Sequence, residues 1–146
     1  MTETIERPGL TIELVPVDAL AQVLPVVEHL MRDLPERSGG AWTLPGIQER
    51  LVNGVWQLWC VHDQAPQPTV MAIVGTSVWT TMSGIKTCSI HFCTGDNSKD
   101  WMHLLAVIEQ AARNIGAKRI ETVARKGWAR KLKDYRTTHL VLEKAL

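Results

Sequence analysis

Two pairs of side chains that bind metals and protons lie on predicted strands, Cys60 with His62 and His91 with Cys93. The residues of each pair are two apart and therefore share one face of their strand. Zinc requires its ligands within about 2.0–2.3 Å. The predicted strand 69–80 separates the two pairs by two strand spacings, roughly 9–10 Å. The sequence therefore predicts buried cysteines and no metal site.

Proton transfer is a second chemistry that the residues could support. His91, and Glu121 in the predicted strand "RIETV", are candidate general bases, because an imidazole or carboxylate facing a cleft between strands can deprotonate an amine. The simpler interpretation is that Glu121 pairs with a neighbouring Lys or Arg. A Cys93–His91 nucleophile pair is disfavoured, since their backbones lie about 6–7 Å apart along the strand.

Length and composition predict one domain in a reducing compartment. The chain has 146 residues, for which we expect a flexible leader at 1–10 and a domain at 11–146. Sixteen Lys and Arg balance fifteen Asp and Glu, which argues against a general nucleic-acid or membrane binder. The opening "MTETIERPG" carries no apolar signal sequence, and the odd number of cysteines, three, does not indicate a disulfide framework.

Hydrophobic periodicity predicts the order β-α-α-β-β-β-α-β-α-β. Asp18 is expected to cap the first helix and Pro25 to kink or split it. We therefore expect an α/β (α+β) fold with a mixed, mostly antiparallel central sheet flanked by helices. The predicted strands are 11–15, 55–62, 69–80, 85–95, 117–125 and 137–145, and the predicted helices are 18–34, 46–53, 100–115 and 126–133.

The C-terminal part of the chain carries a family resemblance. The stretch "IEQAARNIGAKRIETVARKGWARKLKDYRTTHLVLEKAL" resembles the GNAT-like proteins of tailed bacteriophages, in which "ARxxGxxRIE" precedes "RKGWxRxLxxY" and "VLEKxL". The resemblance covers residues 55–146 in detail and 11–54 by element order. It implies the fold of the GNAT N-acetyltransferases and, for an active member, acetyl-CoA as the acyl donor.

In GNAT enzymes, a loop after the fourth strand binds the coenzyme A pyrophosphate. The corresponding loop of this chain runs from Thr94 to Asp100. Asp96 and Asp100 place negative charge there, which opposes a bound pyrophosphate. As a helix start the same loop is ordinary, with Ser98 as the cap. The cofactor contacts that the resemblance implies are Cys93, Thr94, Gly95, Asn97, Ser98 and Lys99.

The family's general acid is a tyrosine in the last short helix. Aligning Ala129 with the family's alanine places Lys133, not a tyrosine, at that position. Tyr135 is the nearest tyrosine and the remaining candidate for this catalytic role. Its other interpretation is structural, as a residue that closes the corner of the sheet.

The stretch "RKGWARKLKDY" predicts a basic partner surface. Trp128 and Leu132 are four apart and share the buried side of a helix. An acidic protein partner fits this surface at least as well as nucleic acid does. The surface residues are Arg125, Lys126, Arg130, Lys131 and Lys133.

Three possible functions follow from these observations. The departures at the loop and at the tyrosine predict a GNAT-fold protein without acetyl-CoA binding, which serves as a virion or assembly module. Its partners would be phage structural proteins, such as portal, capsid or ejection proteins, or a second copy. Its location would be the host cytoplasm or the virion. The alternative is an active acetyl-CoA-dependent N-acetyltransferase, with a regulator or inhibitor of a host protein as a weaker alternative.

Overall fold

The computed structural model describes residues 9–146, except for the side chain of Lys126. Five strands form one sheet in the order of the chain, antiparallel except for the parallel pair β4–β5. Of the predicted leader 1–10, only Gly9 and Leu10 lie within the described residues. The strands are β1 (Thr11–Leu14), β2 (Gln57–His62), β3 (Val70–Thr80), β4 (Lys86–Gly95) and β5 (Arg119–Thr122).

Six helices cover the two faces of this sheet. They are α1 (Leu20–Met31), α2 (Leu34–Arg37), α3 (Leu44–Val52), α4 (Ser98–Trp101), α5 (Leu105–Asn114) and α6 (Lys126–Lys131). The predicted fold class is confirmed: a mixed, mostly antiparallel sheet lies between helices. Within residues 9–146, no helix is long and apolar enough to cross a membrane.

The sheet separates two apolar clusters, because side chains alternate along its central strand. In β3, Ile73 faces one cluster, whereas Ala72 and Val74 face the other. The first cluster includes apolar residues of α1, α2 and α3, and we call this side the α1 face. The second includes apolar residues of α5 and side chains of the α6 region, and we call it the α5 face.

The first helix differs from its prediction in two respects. It runs without a break through Pro25, because this residue is exposed and the carbonyl left unbonded by the ring can reach water. Asp18 makes no capping hydrogen bond and lies instead in a single 3-10 turn that precedes α1. The predicted end of the helix near residue 34 is a separate short helix, α2.

The predicted helix 100–115 is also divided. The short helix α4 and a 3-10 turn over residues 102–104 precede α5, and Gly116, at φ +87°, ends α5 as expected. The predicted cap, Ser98, is the first residue of α4, and Asn97 precedes it at φ 53° without a side-chain cap. The Ser98 hydroxyl accepts a hydrogen bond from Lys131 instead, at 2.8 Å.

The predicted closing strand 137–145 does not form. Residues 136–146 are exposed, and no backbone hydrogen bond joins them to β5. Tyr135 anchors the chain to α5, because its hydroxyl donates a hydrogen bond to Glu109 at 2.7 Å. With only four residues, the edge strand β5 offers a short template for pairing.

Candidate active site

A cavity opens where β4 and β5 separate. The two strands pair from Thr87 with Arg119 to Ile90 with Thr122, and β4 then continues to Gly95 paired with β3 but without β5 on its other side. Beyond the last pair lies a cavity of about 580 Å³ that contacts both strands. A gap between parallel strands exposes backbone groups that would otherwise pair, so a ligand that enters it can use them.

The cavity passes through the sheet. On the α1 face its lining includes Leu34 and Phe92, and on the α5 face it includes Leu105 and Leu132. These side chains belong to the two separate apolar clusters. A ligand in this cavity can therefore extend from one face of the protein to the other.

Glu121 lies at the end of a hydrogen-bond chain in this cavity. The indole of Trp79 donates to the Ser89 hydroxyl at 2.7 Å, and this hydroxyl donates to Glu121 Oε1 at 3.3 Å. Glu121 is positioned because it stands opposite Ser89 in the β4–β5 pairing. Among the described side chains of residues 9–146, it forms no ion pair with Lys or Arg.

His91 lies on the same cavity because of an irregularity in β4. The register between β3 and β4 shifts after Gly75, so that His91 has no partner residue and its side chain stacks on Trp56, with ring centroids 4.4 Å apart. Its Nε2 lies 2.7 Å from the hydroxyl of Ser77. His91 thus adds an imidazole to the polar part of the cavity lining.

Burial, and secondarily the nearby Arg50 guanidinium, lower the pKa of His91, whereas the Glu121 carboxylate opposes this shift. The imidazole is therefore neutral near pH 7. A neutral imidazole and a carboxylate on one cavity are two groups that can accept a proton from an amine.

Cys93 also lines the cavity, on the strand after the irregularity. Burial raises the pKa of its thiol to about 12, against weaker opposing effects of Arg37 and Lys131. The thiol stays protonated at neutral pH, so it is a poor nucleophile. The predicted absence of a Cys–His nucleophile pair agrees with this environment.

The loop after β4 is built for packing against β3. A Cβ at Gly95 would collide with the Met71 carbonyl oxygen and with Ala72, so this position accepts only glycine without a backbone shift. The indole of Trp101 donates to the Asp96 carbonyl at 2.8 Å and holds the loop in place. The close contact with β3 thus explains why this position is a glycine, without a role in phosphate binding.

The predicted site residues fall into two groups, those that line the cavity and those that do not. Glu121, His91 and Cys93 line the cavity together, as does Arg125 from the predicted basic surface. Another group of predicted residues is not in its lining. These are Thr94, Gly95, Asn97, Ser98, Lys99 and Tyr135.

Tyr135 has a structural environment. Its hydroxyl donates to Glu109 of α5 at 2.7 Å, and burial together with this carboxylate raises the tyrosine pKa well above its usual value. A phenol held in this way joins the end of the α6 region to α5.

The basic surface on α6 is exposed at Arg125, Arg130, Lys131 and Lys133, and the side chain of Lys126 lies outside the described residues. Trp128 and Leu132 pack on the α5-face cluster, as their spacing predicts. The Lys131 ammonium lies 5.6 Å from the centroid of the Trp128 ring. The surface itself is present, and its partner stays a prediction.

The sequence did not identify several polar or amphipathic residues of the cavity lining, among them Arg37, Trp79 and Ser89. A signal for two of these was present, because Trp79 and Ser89 are polar or amphipathic positions in otherwise apolar strands. No group of three or more His, Cys, Asp or Glu within residues 9–146 is placed to hold a metal ion.

Comparison with solved structures identifies the fold. An aminoglycoside acetyltransferase from an uncultured soil metagenomic sample, in complex with sisomicin, has a TM-score of 0.68 at 12% identity, covering 94% of this chain and 97% of that one. A Trypanosoma brucei acetyltransferase has a TM-score of 0.61 at 14% identity, covering 94% and 99%. A probable acetyltransferase has a TM-score of 0.65 at 14% identity, covering 92% and 95%.

These neighbours are GNAT acetyltransferases, and the chain has a GNAT-like fold. At such low identity the likeness shows the fold alone. No protein-family model and no curated protein matches the sequence.

Proposed function

We propose that this protein is an acyl-CoA-dependent N-acyltransferase with acetyl-CoA as its donor. The observation that carries the proposal is the cavity through the sheet at the separation of β4 and β5. Two substrates that enter from opposite faces can meet in such a cavity. The GNAT-like fold supports the same reaction class.

On the α5 face the cavity suits the donor's arm. Leu105, Trp128 and Leu132 give it apolar walls, and the exposed Arg125 guanidinium and the nearby Lys131 ammonium provide positive charge for phosphates. The Lys131 ammonium donates a hydrogen bond to the hydroxyl of Ser98, which begins α4 two residues after Asp96. Its positive charge therefore offsets part of the negative charge of Asp96. The residues present thus fit an anionic acyl donor.

On the α1 face Glu121 and His91 are the proton acceptors. Glu121 Oε1 accepts a hydrogen bond from Ser89, which fixes the carboxylate, and its other oxygen is the one proposed to meet the amine. In the reaction, the amine nitrogen forms a bond to the acyl carbon as the carbon–sulfur bond breaks. In net terms one proton moves from nitrogen to sulfur, and Glu121 is the group proposed to take it from the amine.

The interaction module predicted from the sequence is the second candidate. Its support is the exposed Asp96 in the loop after β4 and the exposed basic surface on α6. A phage origin, virion partners and a place in the host cytoplasm or virion stay predictions. The module differs from the enzyme in one respect that is easily measured, since it does not bind acetyl-CoA.

Calorimetric titration with acetyl-CoA separates the two candidates. The enzyme predicts a dissociation constant between about 1 µM and 1 mM. Ala124→Trp places an indole at the cavity and should weaken binding about tenfold, whereas Ala21→Trp, on the exposed side of α1, should not. Absence of binding up to millimolar concentration would contradict the enzyme.

A further inference from the structure

The charges along the cavity point to the class of acceptor. Arg37 of α2, Glu121 of β5 and Arg125, which precedes α6, line it, beside the neutral imidazole of His91. Because Arg125 is assigned to the phosphates of the donor, an acceptor would meet one carboxylate, Glu121, and one guanidinium, Arg37. A polycationic acceptor would find a single opposite charge for its several ammonium groups, with the like charge of Arg37 in the same cavity.

Among the described side chains, the groups that an acceptor would use have few partners. Within this part of the chain the Arg37 side chain forms no hydrogen bond or ion pair, and Glu121 accepts one hydrogen bond, from the Ser89 hydroxyl. Arg37 and Glu121 line the same cavity. Opposite charges in one cavity suit a ligand that carries both an ammonium and a carboxylate.

Apolar walls accompany these charges. Trp42 and Leu34 from the α1–α3 side and Trp79 and Phe92 from the sheet line the same space. Trp42 packs edge-on against Trp56, with ring centroids 5.4 Å apart, and this contact holds its ring in place. Rigid aromatic walls favour a flat or branched apolar body over a flexible polar chain.

We infer that the acceptor is an amino-carboxylic acid with an aromatic or branched apolar side chain. This inference rests on the proposed function. The amine binds at Glu121, where it can lose its proton, and the carboxylate binds the Arg37 guanidinium. The apolar side chain packs against Trp42 and Trp79.

Three amines serve as probes: L-phenylalanine, phenethylamine, which lacks the carboxylate, and spermidine, a polycation. Binding is followed by calorimetry and tryptophan fluorescence, with and without excess coenzyme A. L-phenylalanine should bind about tenfold more tightly than phenethylamine, and spermidine should bind most weakly. Arg37→Gln should remove the advantage of the carboxylate. Arg32→Gln, an exposed arginine at the end of α1 outside the cavity lining, should leave the order unchanged.

Tighter or equal binding of spermidine, an unchanged order in Arg37→Gln, or no binding of any probe would overturn the acceptor class. A parallel titration with acetyl-CoA keeps the two proposals apart. If acetyl-CoA binds but the three amines do not bind in the predicted order of affinity, only the acceptor class is wrong. If acetyl-CoA does not bind, the proposed function is wrong, whatever the amines do.

Discussion

The carboxylate of Glu121 accepts a hydrogen bond from the hydroxyl of Ser89, at 3.3 Å, across the one parallel strand pair described in the sheet. Ser89 in turn accepts from the Trp79 indole at 2.7 Å. The bond lies one residue before β4 and β5 separate. It therefore places a proton acceptor at the entrance to the cavity on a rigid part of the fold.

Replacement of this carboxylate should remove catalysis while leaving the fold intact. Glu121→Gln keeps the shape of the side chain and loses the proton acceptor, and we expect a rate loss of about 100-fold or more. The measurement is thiol release from acetyl-CoA in the presence of a panel of primary amines. Glu36→Gln, an exposed α2 residue outside the cavity lining, is the matched control and should keep its rate. Equal rates for the two variants would exclude Glu121 as the base.

Two histidines should give the stability opposite pH dependences. The Asp63 carbonyl and then Glu13 raise the pKa of His62, so its contribution is present below about pH 6.5 and is lost as the pH rises through the folded-state value. Burial lowers the pKa of His91, so its contribution is lost as the pH falls below about 6.5.

Denaturant midpoints measured between about pH 5 and pH 8 test both signs. Relative to the unchanged protein, His62→Gln should lose stability mainly at the acid end, whereas His91→Gln should flatten the decline on acidification. The test compares how the denaturant midpoint changes with pH and not its absolute value, because replacing His91 also removes its stacking on Trp56 at every pH. Slopes that change in the same direction would contradict these environments.

Gly95→Ala should destabilise the protein. Because a Cβ there collides with the Met71 carbonyl oxygen and Ala72, we expect a loss of about 1–3 kcal/mol in the free energy of unfolding. At Gly127 a Cβ meets nothing within 4 Å, so Gly127→Ala in α6 should be neutral or stabilising by up to about 1 kcal/mol. Chemical denaturation measures both, and equal stability of the two variants would show that the β3–β4 contact is looser than described.

Removal of residues 137–146 should leave the melting temperature within about 2 °C, since these side chains are exposed and unpaired surface contributes little. Tyr135 is retained in this truncation and keeps its bond to Glu109. Calorimetric melting of the truncated and full-length chains provides the comparison. A fall of more than about 5 °C would mean that the segment is paired in solution, as its strand-like sequence predicts.

Periodicity predicted the fold class, since the nearly continuous apolar run of β3 and the helical spacing of Leu24, Val27 and Met31 depend on local sequence. It failed at 137–145, where pairing depends on a neighbouring edge that no local pattern describes. Glu121 and His91 were found because polar side chains in apolar strands are conspicuous. Arg37 was missed, because its place on the cavity follows from how α2 packs on the sheet.

The central claim is that acetyl-CoA occupies the space between the separated strands. Titration of ¹⁵N-labelled protein with acetyl-CoA, followed by amide chemical shifts, tests it most directly. We predict saturable shifts in both Ile90–Thr94 and Thr122–Arg125, the two sides of the cavity. Absence of shifts, or shifts confined to the basic surface around Arg130 and Lys133, would contradict the claim.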